Sequence, residues 1–421
     1  MPSATMDLLR LATIGSVDDG KSTLIGRLLV DTRQLFDDQL DAIAHASQKR
    51  GLGDLDLSFV TDGLRAEREQ GITIDVAYRY AASPSRKFII ADCPGHVQYT
   101  RNMATGASSA DLALVVVDVS HGLKEQTRRH LVIAALLGVR SLVVAVNKMD
   151  IVNWSSAAYQ GVVDEVDTIA AELGFSEQRC VPISALYGDN VVEASSRSPW
   201  YDGPSVLGAL EAADAGVWES TGPARLPIQW VLRQDGGGRT YAGMMSGGAL
   251  RVGDAVSLLP AGLSATVRQI GSGSGAREVA VAGLSVDVAL TEDTDAGRGD
   301  LLAAAPLPTV TRELSATICW FGESPLEPGQ RLRLKHTTRT TPVRVLSLEG
   351  ALDVSTLSIE PASELGTNEI GLARLLTGDA LAVDDYRDNR VTGSFVLIDE
   401  VSNATVAAGM VGRASFLSRE P

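Results

Sequence analysis

Cysteine is almost absent from these 421 residues: three thiols, Cys93, Cys180 and Cys319, stand far apart with no C-x-x-C pair among them. That spacing excludes a disulfide framework and a cysteine-built zinc site, and all three are expected as reduced thiols. Basic residues are also short, 37 Lys and Arg against 52 Asp and Glu, for a formal net charge of -15. A chain this acidic has no general surface for a polyanion, so no nucleic acid is expected as a partner outside a local patch. Hydrophobic residues make up 45%, yet no apolar run approaches the length of a bilayer span, so no membrane association is expected. The first ten residues, MPSATMDLLR, carry no apolar signal core, which points to the cytoplasm.

What is present reads as two textures. From Leu8 to about Asp214, strand-like LLRLATI, KFIIAD, LALVVVD and SLVVAVN alternate with helix-like QTRRHLVIAALLG and a stretch around Val162 to Leu173. Such alternation builds a mostly parallel sheet with helices on both faces, whose ligands bind at the carboxyl ends of the strands. One connection, Asp31 to Ile72, is long, polar and charged, as functional or mobile segments are. After WYDGP (Trp200 to Pro204) and a last helix the pattern changes near Pro223. GRTYAGMMSGG, LRVGDAVSLLP and TVRQIGS, then SATICWF, RLRLKH and TPVRVLSL, are short strands between glycine turns, the pattern of two small β-barrels. The expected organisation is an α/β domain over 1–222, which the motifs below make a P-loop GTPase domain, followed by two all-β barrels over 223–308 and 309–421.

The chemistry concentrates in five elements. The first is the loop Gly15, Ser16, Val17, Asp18, Asp19, Gly20, Lys21, Ser22 and Thr23, between a strand and a helix with Leu24, Ile25, Leu28 and Leu29 on one face. A helix start offers unpaired N–H groups and positive dipole to a polyphosphate, and Gly15 and Gly20 let the backbone curl around its oxygens. Lys21 would reach the β- and γ-phosphates and Ser22 would ligate Mg2+. The second is DCPGH, Asp92 to His96, in which Asp92 would hold a water on Mg2+ and the Gly95 N–H would meet the γ-phosphate.

The third is NKMD. The Asp150 carboxylate accepts from guanine N1–H and its exocyclic amine, neither of which adenine offers, so adenine leaves a buried acceptor unpaired. Asn147 either meets the other base edge or ties the loop back, and the Lys148 stem covers the ring. The fourth is SAL, where Ser184, Ala185 and Leu186 follow a strand and the Ala185 N–H would donate to guanine O6. The fifth is Thr73, the expected second hydroxyl on Mg2+, bound only while the γ-phosphate is present, which makes the preceding segment a GTP-ordered switch. His96 would orient the attacking water. His45, His121, His130 and His336 keep no metal-ligand spacing and are expected at the surface or in packing. Lys21, Thr73 and His96 are the expected catalytic residues, Ser22, Thr73 and Asp92 the Mg2+ set, and GTP or GDP the nucleotide.

These residues resemble the translational GTPases of the elongation factor Tu and 1A group, on EREQGITID, DCPGH, RNMATGAS and NKMD. GSVDDGKSTLIGRLLVDTRQ, DGLRAEREQGITIDVAYRY, FIIADCPGHVQYTRNMATGAS and PWYDGP are similar to the GTPase subunit family of bacterial sulfate adenylyltransferase. The resemblance implies hydrolysis of GTP to drive formation of adenylyl sulfate and pyrophosphate from ATP and sulfate, with adenylyl transfer on a separate small subunit as obligate partner. The chain agrees in what it lacks: no S-G-G-x-D-S loop for ATP, since SGGAL at Ser246 has no acid, and no second phosphate loop. It departs at Val97, where many members have glutamate, and carries Cys93 for threonine. The wider group further implies a monovalent cation near Asp18. The competing expectation is a translation factor that delivers aminoacyl-tRNA.

Overall fold

The computed structural model describes residues 7–34, 57, 73, 75–214, 222–233, 238–273 and 275–418, in two compact units, Met1–Ala215 and Gly216–Pro421. In the first unit six strands, β1 (Asp7–Ile14), β2 (Ala77–Ala82), β3 (Arg86–Asp92), β4 (Leu112–Asp118), β5 (Ser141–Asn147) and β6 (Glu177–Pro182), run in the order β2-β3-β1-β4-β5-β6. All neighbours are parallel except β2, which pairs antiparallel with β3. β4 and β5 are buried at every residue, which is why they read as unbroken apolar runs. Leu112, Leu114 and Val116 of β4 join the core of helix α1 (Lys21–Asp31) and the helix Val206–Ala212, while Ala113, Val115 and Val117 are buried as well. Both faces of β4 are therefore covered.

Leu24, Ile25, Leu28 and Leu29 of α1 are all at most 3% exposed, the apolar stripe expected from their spacing. Three longer or shorter helices, Thr100–Ala107, Glu125–Leu136 and Ser156–Leu173, complete the unit. The last begins six residues before the expected Val162, because Ser155 caps it by accepting from the Ala158 N–H at 3.3 Å. It stops at Gly174 in the left-handed conformation. Arg86 donates to the carbonyls of Leu210 and Ala213 at the end of the helix Val206–Ala212 and pairs with Asp7, a cation at the negative pole of the dipole. Against β3 lies the helix Thr100–Ala107: a Cβ at Gly106 would stand 2.5 Å from the buried Cys93 Sγ, so the helix approaches only because glycine is there. Of the Asp31 to Ile72 connection, 31–34 and Leu57 are described, and 35–56 and 58–72, which hold EREQGI, lie outside the described residues, whereas Thr73 is described. Among the described residues no helix is long and apolar enough to cross a membrane.

In the second unit, where Ala249–Arg251 and Val279–Val281 pair apart as a two-stranded sheet, the other eight strands from Arg225 to Ala303 form one sheet. Its ends come together: a Cβ on Gly243 would lie 2.3 Å from the Pro227 carbonyl oxygen, an approach only glycine permits. The strands from Thr309 to Val411 form a second sheet, in which Arg331–His336 pairs with both Arg339–Leu352 and Ser394–Ile398 and so closes a six-stranded barrel. Each sheet wraps its own core, Leu226, Tyr241 and Val288 in one and Ile318, Trp320 and Leu375 in the other.

Within this unit Arg225, 1% exposed, spans both sheets. Its guanidinium grips Asp384 through Nε at 2.9 Å and Nη2 at 3.0 Å and donates to the carbonyls of Ala304 and Pro306. Thr392 Oγ1 fills another lone pair of Asp384 at 2.6 Å. Arg225→Met strands a carboxylate that has lost its counter-charge and is expected to cost roughly 3–5 kcal/mol. Arg225→Met with Asp384→Leu recovers much of it, and amide hydrogen exchange in the strands of this unit reads both.

Candidate functional site

The carboxyl ends of β1, β3, β5 and β6 deliver the predicted motifs to one edge of the sheet, around a cavity of about 460 Å3. It is lined by Val17, Asp18, Gly20, Lys21, Ser22, Thr23, Thr73, Gly95, His96, Asn147, Lys148, Asp150, Ile151, Ser184, Ala185 and Leu186. Thus elements spread over 170 residues of chain converge. Gly15, Ser16, Asp19 and Asp92, expected at the nucleotide, stand behind this lining.

The phosphate loop is shaped by positive φ at Gly15, Asp18 and Gly20. Gly20 begins α1 with no side chain capping it, which leaves the first N–H groups of the helix facing the cavity without side-chain partners. Lys21 curls back, its Nζ donating to the carbonyls of Gly15 and Ser16 at 2.9 Å each. Burial pushes its pKa down, and the Asp92 and Asp19 carboxylates push it back up. A Cβ on Gly95 would fall 2.5 Å from Lys21 Nζ and 2.7 Å from the Gly15 carbonyl oxygen, so DCPGH can lie against the phosphate loop only with glycine at that position. Asp92, at the end of β3, is fully buried and accepts from Thr13 Oγ1 at 3.2 Å. His96 is half-buried beside Tyr99, ring centroids 6.0 Å apart.

Asn147 ties loops together. Its Nδ2 donates to the Asp19 carbonyl at 2.8 Å and its Oδ1 accepts from the Ala185 N–H at 2.9 Å. The N–H expected to meet guanine O6 is therefore engaged within the chain and would be shared with the base. The buried Ser184 hydroxyl, on the cavity wall, has no hydrogen-bond partner among the described residues. Lys148 takes the left-handed conformation at φ 64° and reaches Asp118 Oδ2 at 2.8 Å. Burial raises the Asp118 pKa, but the bonds from Lys148 and Ser120 outweigh it and hold the carboxyl well below the usual range. Of the remaining histidines, His121 is exposed beside Asp118, whereas His130 and His336 are buried. His45 lies outside the described residues.

Two supports escaped the sequence. Asp118 is the polar residue that ends the apolar strand LALVVVD, in register with Asn147; a polar terminus at the same sheet edge was its available signal. Lys124 had none. It reaches from the start of the helix Glu125–Leu136 to Asp19 Oδ1 at 2.7 Å, while Asp19 Oδ2 accepts the Ser16 N–H at 2.9 Å and Thr127 meets Ser16 Oγ at 2.9 Å. Asp19, 1% exposed, thus serves the loop from behind.

Residues 6–225 match the elongation factor Tu GTP binding domain family, and residues 313–412 match the GTP-eEF1A C-terminal domain-like family. The chain is 50% identical over 415 residues to the bifunctional enzyme CysN/CysC of Mycobacterium tuberculosis, an alignment covering 96% of this chain and 67% of that one. It is 47% identical to sulfate adenylyltransferase subunit 1 of Laribacter hongkongensis, covering 97% and 86%, and 48% identical to that of Aeromonas salmonicida, covering 96% and 86%.

Lys124→Met removes the cation paired with the buried Asp19 carboxylate, next to the site where phosphate would bind, and leaves it only the Ser16 N–H and the field of Lys21. Affinity for guanine nucleotides is expected to fall by on the order of tenfold or more. Adding Asp19→Asn should restore most of it, and calorimetric titration of the two variants gives the coupling.

Proposed function

The chain belongs to the sulfate adenylyltransferase subunit 1 family, within the elongation factor Tu type of GTP-binding proteins, and on that premise we propose that it hydrolyses GTP to drive adenylyl sulfate formation on a partner subunit. The single cavity that gathers all five motifs carries this conclusion. Identity of 47–50% over nearly the whole chain supports it.

In this reading the triphosphate lies along the phosphate loop. The N–H groups at the start of α1 bind its oxygens, and Lys21 exchanges its two carbonyl acceptors for the β- and γ-phosphates. The Gly95 N–H meets the γ-phosphate. Asp150 accepts both N–H groups of the guanine edge, Lys148 covers the ring with its head held by Asp118, and the Ala185 N–H is shared between Asn147 and O6. His96 orients a water, whose oxygen bonds to the γ-phosphorus as the bond to the β,γ-bridging oxygen breaks, giving GDP and phosphate.

Ser22, Thr73 and Asp92 suit Mg2+. They offer hard oxygens beside a glycine-lined phosphate cradle, and the described residues hold no cluster of three or more His, Cys, Asp or Glu that would suggest a softer or more crowded site. When bound, the ion supplies charge neutralisation at the β- and γ-oxygens.

GTP and GDP differ only at the γ-phosphate, so Gly95 and Thr73 are where the two states acquire different affinities for the partner. The partner is the small subunit that performs adenylyl transfer from ATP to sulfate. Reconstitution tests this: with the small subunit, ATP and sulfate present, adding GTP should raise adenylyl sulfate yield together with GDP release. Unchanged yield, or co-purification with tRNA in place of an ATP-binding protein, would sink the proposal. Asp150→Asn should move nucleotide preference from guanine toward xanthine, since an amide donates where the carboxylate accepts. Competition between GTP and xanthosine triphosphate measures the shift.

A further inference from the structure

We propose, on the reading of the cavity as a GTP site, that Arg27 is the positioning residue that holds the Ser184–Leu186 loop in register with the base. Arg27 is on α1, six residues beyond Lys21 and so about 9 Å along the axis. It is not among the residues lining the cavity. Its Nε donates to the Ala185 carbonyl at 3.3 Å and its Nη2 to the Leu186 carbonyl at 2.5 Å. Two successive carbonyls are thus taken by one rigid fork, a geometry that lysine, a single point donor, does not reproduce.

The Ala185 peptide is gripped from both sides. Asn147 holds its N–H and Arg27 its carbonyl. Asn147 also donates to the Asp19 carbonyl of the phosphate loop, and α1 itself begins at that loop. A closed circuit results, from phosphate loop through Asn147 to Ala185, through Arg27 to α1, and back.

Beyond Arg27, the outer part of the loop is held by its own turn, with the Gly188 N–H donating to the Ser184 carbonyl at 2.8 Å and the Ser184 N–H to the Asp189 carbonyl at 3.3 Å, and by Arg197 over the Tyr187 ring. Leu186 is 55% exposed, so it has no apolar anchor, and the turn at Gly188, with φ 82°, rests on the Arg27 stem, where a Cβ would sit 3.4 Å from Arg27 Cδ. Asp31 lies one helical turn on, its Oδ1 3.7 Å from Arg27 Nη1. Burial raises the Asp31 pKa and Arg27 opposes that rise. An i,i+4 pair of this length contributes only tenths of a kcal/mol. The two carbonyl bonds are the contacts that reach the site.

The test uses the full chain with two variants, Arg27→Met, which keeps the stem and removes every donor, and Arg27→Lys, which keeps one. Arg27→Met is expected to release a fluorescent GDP roughly tenfold faster, as loss of a charged hydrogen bond implies. Single-turnover hydrolysis at saturating GTP should stay within about twofold, because the phosphate end is untouched. Arg27→Lys should fall between the two. The loss should be larger for GTP than for 2-aminopurine riboside triphosphate, which has no 6-oxo group for the Ala185 N–H to meet. Unchanged release, equal losses for the two nucleotides, or a parallel collapse of affinity and hydrolysis would each overturn the assignment. If Arg27→Met does not fold, Arg27→Lys decides on the same measurements. Failure of the unmodified chain to bind either guanine nucleotide would instead overturn the GTP reading itself.

Discussion

A lysine ammonium buried among backbone carbonyls at the open end of α1 is the constraint around which the first unit is organised. Burial disfavours that charge, yet the Asp92 and Asp19 carboxylates stand close enough to push back, and the carbonyls of Gly15 and Ser16 satisfy its protons. The arrangement holds cationic and backbone donors ready before any anion arrives, so binding a polyphosphate does not require building the site first. The cost is borne by glycine. At Gly15, Gly20 and Gly95 a Cβ would come within 2.6 Å of Val116 O, Asn147 Nδ2 and Lys21 Nζ respectively.

The proposed nucleotide site has a phosphate half and a base half, supplied by different strands, and buried polar bridges connect them. Asn147 reaches both. Asp118 fixes Lys148 and Lys124 fixes Asp19, so two cations of the lining or its surround are each bound to a carboxylate at 2.8 and 2.7 Å. The second unit uses the same device for another end. The Arg225–Asp384 pair joins its two sheets, as does a small apolar cluster of Leu259, Leu301, Ala303 and Ala382.

Much of this was legible in the residues. β4 and β5 appear as unbroken apolar runs because helices cover both faces, and α1 shows its stripe because only one face is buried. The motifs could be placed at one sheet edge because short motifs at strand ends are the places where a parallel sheet presents backbone and side chains to a ligand. Lys124 and Arg27 were not legible. Both act by reaching across space to backbone or to a buried acid, and nothing in their own neighbourhood announces the target. Asn147 stood open between two roles since an amide can serve either, and only the distances to Asp19 and Ala185 show which bonds it makes. Closure of the C-terminal barrel depends on register between Arg331–His336 and Ser394–Ile398, strands more than 55 residues apart, and sequence alternation carries no register.

Gly106 and Cys93 share a single volume, since the sulfur occupies space that a side chain on the helix would need. Gly106 can therefore gain no side chain while position 93 keeps its sulfur. A lineage that enlarges position 106 must first shrink position 93 or pass through an intermediate whose helix is levered off β3, so of these two sites, thirteen residues apart, the glycine is expected to change only with or after the other.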